Sequence, residues 1–427
     1  MKKIGNLSIW FFVLVTFVIW ISLKPIVLRI DSYANFTHGL GQIFGLIGMV
    51  LFALTFILTT RLSFVEDLFG GLDKVYRTHH LIGVFSFVLI LFHPVFLVLK
   101  FIPSNFSQAA VYLWPSSSMA VNYGIIALLA MVVLIVLTFF VNLSYGVWKN
   151  SHRLMGMVFL IAGLHIFLVN TEISHFVLLK AWMIFVCAIG LAAHLYGSYL
   201  RILFGRDLKY VVKKVIRKGK ITIVEMNPVE KELKFLPGQF IFIKFNFAKL
   251  GEKHPFSISS SSGKNLRISV KNLGDFTSDL ANLKVGTVAF VEGPYGRFDV
   301  LSDKRDQIWI AGGIGITPFL SFLQEMIDKK SHRKVDLYYA VKNESEAVFL
   351  EELKSYAKSL KNFRLFVHYS DSMGYLDSEK VEKNSKLDGK AVYFCGPISL
   401  VSSMKKQLSK KINKKYLYSE DFNFNAN

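Results

Sequence analysis

Six long apolar runs fill the first 200 residues, at about 7–28, 39–60, 78–100, 119–143, 152–170 and 178–200. Each approaches the ~20 residues an α-helix needs to cross the hydrocarbon core of a bilayer, so six membrane helices are predicted. Lys2 and Lys3 precede the first run as they would a signal peptide, but its length and the lack of a small-residue cleavage site predict a retained helix. From about 208 the period changes to short alternating strands, such as Ile221-Thr222-Ile223-Val224 and Phe240-Ile241-Phe242-Ile243, the second after a Pro237-Gly238-Gln239 turn. Beyond 307, strands and helices alternate, with strands predicted at Ile308–Ala311, Val335–Ala340, Arg364–His368 and Ala391–Phe394. The pattern predicts a multi-domain membrane protein: a six-helix transmembrane bundle at 1–204, an antiparallel β-barrel domain at 205–303 and an α/β, Rossmann-like domain at 304–427.

Charge sharpens the division. Residues 201–427 hold 39 Lys and Arg and 25 Asp and Glu, so 64 of the 80 charged residues and most of the net charge of +20 lie in the second half. No nucleic-acid-binding module accompanies them, which argues against a nucleic-acid partner. A basic face toward an anionic leaflet fits better. The two cysteines, Cys187 and Cys395, fall one in each half and exclude a disulfide framework. In the short loops, Lys2, Lys3, Arg61, Lys74, Arg77, Lys149, Arg153, Arg201 and Arg206 fall on one side, and Lys24, Arg29, Lys100 and Lys180 on the other. The positive-inside rule then predicts a multi-pass cell-membrane protein with both termini in the cytoplasm.

Ionisable residues inside membrane helices are costly and point to function. The third run carries His79, His80 and His93, and the fifth His152 and His165. Both helices run the same way, and at 1.5 Å per residue 14 residues climb ~21 Å and 13 climb ~20 Å. His79 can therefore face His152 at the inner level, and His93 can face His165 at the outer. Two stacked bis-histidine pairs suit two b-type haems, whose iron takes an axial imidazole from each side. Thirteen residues rotate a helix by about 140° from the starting face. His165 must then be reached by a bulge or from the helix flank, unless His80 pairs at the shorter spacing. Gly83 and Gly156, each four residues after a histidine, would leave room for a flat macrocycle and favour His79. His38, His175 and His194 lack such partners. Arg77 and Arg153 could pair haem propionates or act only as positive-inside residues. Phe159 lies midway between the levels, where packing explains it best.

In the second half, the turn at Gly274 leading to Thr277 would open a helix whose free N–H groups can hold a pyrophosphate. The strand Ile308–Ala311 runs into Gly312-Gly313-Ile314-Gly315-Ile316-Thr317-Pro318 and a helix from Phe319, letting backbone approach phosphate closely. The last predicted strand ends in Cys395-Gly396-Pro397, at the carboxyl edge of a parallel sheet where such folds bind ligands.

The order His254-Pro255-Phe256-Ser257, Gly274-Asp275-Phe276-Thr277, Gly293-Pro294-Tyr295-Gly296, Gly312–Pro318 and Cys395-Gly396-Pro397 resembles the ferredoxin-NADP reductase superfamily. Joined to a four-histidine membrane domain, it resembles the NADPH oxidase and ferric reductase family, over roughly 40–427, and looks nearest to short prokaryotic NADPH oxidases. The resemblance implies FAD, two b haems and NADPH or NADH. It places Phe256 beside the flavin, Ser257 at the flavin N5 region, and His254 where many reductases have Arg. Lys271 and the Gly274–Thr277 turn, with Phe276, would hold the FAD pyrophosphate. Gly312, Gly313, Gly315, Thr317 and Pro318 would line the NAD(P)H pyrophosphate, and Cys395, Gly396 and Pro397 the nicotinamide. A C-terminal aromatic would stack on the flavin, Phe424 or alternatively Phe422. Lys342 could meet the 2′-phosphate of NADPH.

The expected activity is a transmembrane NAD(P)H oxidase passing electrons through FAD and both haems to dioxygen, with superoxide as product. No regulatory module is recognisable, so constitutive activity without an obligatory regulatory protein is expected. A ferric-chelate reductase shares every motif, as does a redox subunit reducing a partner protein or quinone. Residues 101–118 carry no charge, which favours a small neutral acceptor.

Overall fold

The computed structural model describes residues 4–419, apart from 103, 111, 113, 116, 171–174 and 205–206. The expected Phe422 and Phe424 therefore lie outside the described residues. The chain divides near residue 205 into two compact units.

Among the described residues of the first unit, six helices are long and apolar enough to cross a membrane. They are α1 (Ile4–Ser22), α2 (Tyr33–Leu58), α3 (Leu72–Leu99), α4 (Met119–Phe139), the span from Gly146 to Leu168, and Val177–Leu200. The first run ends earlier than its hydropathy suggests. Pro25 interrupts it, and only the short turn Val27–Ile30 follows. The fifth span is two helices, α5 (Tyr145–Arg153) and α6 (Met155–Leu168), separated at Leu154. The last begins as α7 (Val177–Leu195).

Helix α2 is the central, most buried span, packed on α1, α3 and α7. Its glycines explain the tight α2–α3 contact. A Cβ at Gly41 would lie 2.8 Å from Leu97, and one at Gly48 2.7 Å from Ile90. Close backbones then let Ser86 donate to the Gly48 carbonyl at 2.8 Å. Without a hydrophobic drive between helices in lipid, such small-residue contacts and interhelical hydrogen bonds hold a bundle together. Phe159 is buried edge-on against Phe52 and Phe56, with ring centres 5.2 and 5.3 Å away, so packing accounts for it as expected.

The second unit carries two sheets. The first joins β1 (Leu208–Lys218), β2 (Ile221–Pro228), β3 (Phe240–Phe245), β4 (His254–Ser257), β5 (Leu266–Lys271) and β6 (Val288–Tyr295) in the order β4-β3-β6-β1-β2-β5. All its pairings are antiparallel, and the sheet curls into a half-barrel whose two edges meet at a bridge between Ile258 and Ile268. Its inner residues, among them Tyr210, Ile241 and Ile268, form one core. A five-residue helix, α8 (Asp275–Asp279), follows β5.

The second sheet holds β7 (Gln307–Gly312), β8 (Val335–Val341), β9 (Phe363–Tyr369), β10 (Ala391–Cys395) and β11 (Leu417–Ser419), all parallel. The helices α9 (Thr317–Asp328), α10 (Leu350–Ser359), α11 (Ser378–Asn384) and α12 (Ile398–Leu408) connect them. The strand order is β11-β10-β7-β8-β9. The chain builds outward from β7 to β9, then crosses back to lay β10 on the other side of β7. That reversal makes the carboxyl ends of β7 and β10 the switch point where open α/β sheets bind ligands. The two sheets share a core through Ile221, Ile223, Phe298 and Val300. A polar seam adds Ser261 to Asp328 at 2.9 Å, Ser321 to the Ser260 carbonyl at 2.6 Å and Arg267 to Glu352 at 2.8 Å.

At the opposite end of the parallel sheet, buried Asp336 takes Arg364 and Lys390, each at 2.6 Å. Burial pushes its carboxyl up, but the hydrogen bonds from Arg364 and Lys390 outweigh it, leaving the group below its ordinary 3.8. A depressed carboxylate contributes stability above its unfolded value and loses it as pH falls through the folded one. Asp336→Asn should therefore destabilise the second unit by about 3 kcal/mol at pH 7. Thermal unfolding of the variant and the parent should converge only below pH ~4; equal melting at pH 7 would contradict this.

Candidate functional site

Helix α3 brings His79 and His93 to one side, 14 residues apart, and each meets a histidine of the broken fifth span. His79 and His152 have ring centres 6.2 Å apart, and so do His93 and His165. The pairing shows that α3 and the fifth span run in the same direction. The two histidines of the fifth span fall on either side of Leu154, His152 in α5 and His165 in α6, where the helix tightens locally and Leu154 N–H reaches the Ser151 carbonyl at 3.0 Å. His80 lies exposed, its ring 5.8 Å from Phe139. Among the described residues α3 packs closely on α2 and α6 on α4, with little direct packing between α3 and α6.

Three of the four imidazoles are fixed from behind by backbone carbonyls. The Nδ1 of His93 donates to the Gly41 carbonyl at 2.6 Å, His165 to Ala120 at 2.8 Å and His79 to Thr55 at 3.1 Å. A carbonyl can only accept, so these contacts put the proton on Nδ1 and leave an Nε2 lone pair toward the partner ring. Behind His93 and His165 the devices match. A Cβ at Gly45 would come within 2.7 Å of the His93 ring, and one at Gly124 within 2.8 Å of the His165 ring. Each glycine lies four residues past the accepting carbonyl, making a slot for an imidazole on the helix surface. Two imidazoles on opposite sides of one iron, held by bonds of ~2 Å, have ring centres ~6 Å apart. Both pairs fit a bis-imidazole haem by this spacing and by their donor atoms.

Gly156 does not leave room for a macrocycle as its spacing suggests. A Cβ there would fall 2.1 Å from Nε2 of His194, whose buried ring fills the slot and stacks edge-on to Phe56. Gly83 stays open, its nearest neighbour Thr55 at 3.9 Å. His38 bonds to Gln42 at 3.2 Å and His175 to Asn170 at 3.1 Å. Arg153 reaches Asn150 at 3.2 Å.

In the second unit, β4 sets His254, Pro255, Phe256 and Ser257 opposite β3, with Ser257 facing Phe240. His254 stacks on Phe276 at 3.9 Å, and Phe276 on Phe256 at 6.0 Å. The Thr277 hydroxyl turns back on its own loop, accepting from the N–H groups of Leu273 and Gly274, each at 2.9 Å. Lys271 faces Glu346 at 3.6 Å. At the switch point, Gly312 ends β7, Gly313 takes φ +53°, and Thr317 and Pro318 begin α9. The neighbouring loop interlocks with it: a Cβ at Gly315 would meet the Cys395 carbonyl at 2.4 Å, and one at Gly312 would meet Pro397 at 2.8 Å. Gly396, at φ +153°, lies against Gly312. Cys395 itself is buried. Lys342 lies exposed at the carboxyl end of β8, its carbonyl accepting from Asp371 N–H at 3.0 Å.

Three family profiles match this arrangement. A ferric reductase like transmembrane component covers residues 44–163, an FAD-binding domain 210–299 and an oxidoreductase NAD-binding domain 309–406. The chain is an oxidoreductase that joins a ferric reductase-like transmembrane domain to FAD- and NAD-binding domains, a combination that matches a ferric reductase and NADPH oxidase-like family. Among curated relatives, a flavohemoprotein of Oceanobacillus iheyensis is 30% identical over 226 residues, 48% of this chain and 55% of that protein. A protein of Arabidopsis thaliana named ferric reduction oxidase 8, mitochondrial, is 38% identical over 132 residues, 27% of this chain and 18% of that one. The chain thus spans about half the length of the flavohemoproteins it matches. Among solved structures, a flavohemoglobin of Malassezia yamatoensis shares the fold at 17% identity, with a TM-score of 0.52 over 90% of this chain and 98% of that one.

This oxidoreductase therefore couples a multi-pass membrane domain to FAD- and NAD(P)H-binding domains. Sequence reasoning missed what lies behind the histidines. Gly45 and Gly124 were visible as glycines in apolar helices, but accepting carbonyls leave no mark in a sequence.

Proposed function

We propose that this protein carries electrons from cytoplasmic NAD(P)H across the plasma membrane to dioxygen, releasing superoxide on the far side. The observation that carries the reading is the two histidine pairs set at two levels between α3 and the fifth span, in a chain that also holds FAD- and NAD-binding domains. Bound FAD would turn a hydride into single electrons, and two b haems would carry these through the apolar layer.

His79 and His152 would hold one haem, His93 and His165 the other. Their Nδ1 contacts fix each ring before any metal arrives. Phe256 and Ser257 would border the flavin ring, and Lys271 with the Gly274–Thr277 turn its pyrophosphate. Because the Thr277 hydroxyl is used within its own turn, that turn would serve through backbone N–H groups. Gly312, Gly313, Gly315, Thr317 and Pro318 would hold the NAD(P)H pyrophosphate, and Cys395, Gly396 and Pro397 would confine the nicotinamide. Phe424 would stack on the flavin. Lys342 would meet a 2′-phosphate. The domains would divide at 204/205 and 303/304, with both termini cytoplasmic.

The uncharged stretch 101–118 favours a neutral acceptor. Reduction of a ferric chelate is the second reading, supported by the likeness to the plant ferric reduction oxidase. Purified protein supplied with FAD and NADPH should reduce cytochrome c, and superoxide dismutase should remove most of that reduction. Reduction that the dismutase leaves untouched would overturn the oxygen reading and bring the ferric one forward. Activity should appear without any added protein; silence until a partner is supplied would contradict constitutive transfer.

A further inference from the structure

Three of the four paired histidines lean on backbone carbonyls; His152 does not. Its Nδ1 meets the hydroxyl of Thr138, on α4, at 3.4 Å. That hydroxyl gives its only hydrogen to the Leu134 carbonyl at 2.7 Å, so toward His152 it can only accept. The proton of His152 is again held on Nδ1 with Nε2 left open, but by a contact longer than an ordinary N–H···O bond. The flat side of the ring is braced by Trp148, stacked parallel at 5.7 Å and 11°.

A strong acceptor on Nδ1–H makes an imidazole a more basic ligand and favours oxidised iron. The carbonyls behind His93 and His165, at 2.6 and 2.8 Å, do this for both rings of their pair. Behind His79 and His152 the contacts are 3.1 and 3.4 Å.

We propose that Thr138 is the positioning residue of the His79–His152 site, and that its weak contact makes this the more easily reduced of the two haems. The proposal rests on the bis-histidine haem reading above. Thr138→Val keeps the shape and removes the acceptor; Thr138→Ser keeps the acceptor.

The test is a spectroscopic redox titration of the haem-loaded full chain in detergent, with His152→Leu identifying which component belongs to this site. That component should be the higher-potential one in the parent protein. Thr138→Val should raise its midpoint further, or lower its haem retention by about 10-fold or more, with the other component unmoved. Thr138→Ser should restore parent values. Unchanged midpoints and full haem in Thr138→Val would overturn the proposal. So would Thr138→Ser behaving like Thr138→Val, which would make Thr138 a space-filler. If Thr138→Val does not fold, the parent titration decides alone, and a lower-potential His79–His152 component sinks the idea. A parent protein that takes up no haem at all would instead overturn the haem reading itself.

Discussion

On the proposed two-haem path, His165→Leu should hold one haem where the parent should hold two and reduce electron delivery to the far side by more than about 100-fold, while NADPH still reduces the flavin. The ring lies 6.2 Å from that of His93, with Nδ1 committed to the Ala120 carbonyl and its face against Gly124. Leucine can supply neither the lone pair nor the hydrogen bond. His80, which the shorter spacing could have recruited, lies beside Phe139 at the other level and offers no replacement. Haem absorbance per chain and flavin bleaching by NADPH, measured on the same sample, separate the two halves of the machine. Full haem content in the variant would refute the assignment of this ligand, and loss of flavin reduction as well would point to general misfolding.

The second large effect is expected at Gly315. A Cβ there would meet the Cys395 carbonyl oxygen at 2.4 Å, its carbon at 2.6 Å and Gly396 Cα at 2.7 Å. All three are backbone atoms, so no rotamer change relieves the clash. The loops at the ends of β7 and β10 would have to separate, at a cost of about 3 kcal/mol or more. Gly315→Ala should abolish NADPH-driven flavin reduction and lower the melting temperature of the reductase unit, with both haems retained. Gly313 is the control. It sits at φ +53° with open space around its missing side chain, so Gly313→Ala should cost only the left-handed backbone strain, about 1–2 kcal/mol. A Gly315→Ala protein that still oxidises NADPH at the parent rate would contradict the interlocked switch point.

The parts legible in the sequence were those written in side-chain type and period. Apolar runs of membrane length gave the spans, and the 14-residue interval between His79 and His93 gave two levels on one helix. The order of glycine-rich turns gave the reductase. What escaped was carried by backbone. The break at Leu154 is an ordinary leucine in the sequence, yet it parts the fifth span between its two histidines. The acceptors behind His79, His93 and His165 are main-chain oxygens that any residue type could present. Gly156 was misleading because a missing side chain reveals a space without its occupant, here the His194 ring. The use of the Thr277 hydroxyl to close its own turn, by accepting from Gly274 N–H, was likewise not visible in the sequence.

Transfer across the bilayer is the central claim, and sealed vesicles test it most directly. The protein would be reconstituted with its reductase unit outward, with cytochrome c trapped inside and FAD and NADPH added outside. Reduction of the trapped cytochrome c is expected, blocked by dismutase enclosed in the lumen and abolished by His165→Leu. Reduction confined to an acceptor outside, with the lumen left oxidised, would contradict a transmembrane path through the two histidine pairs.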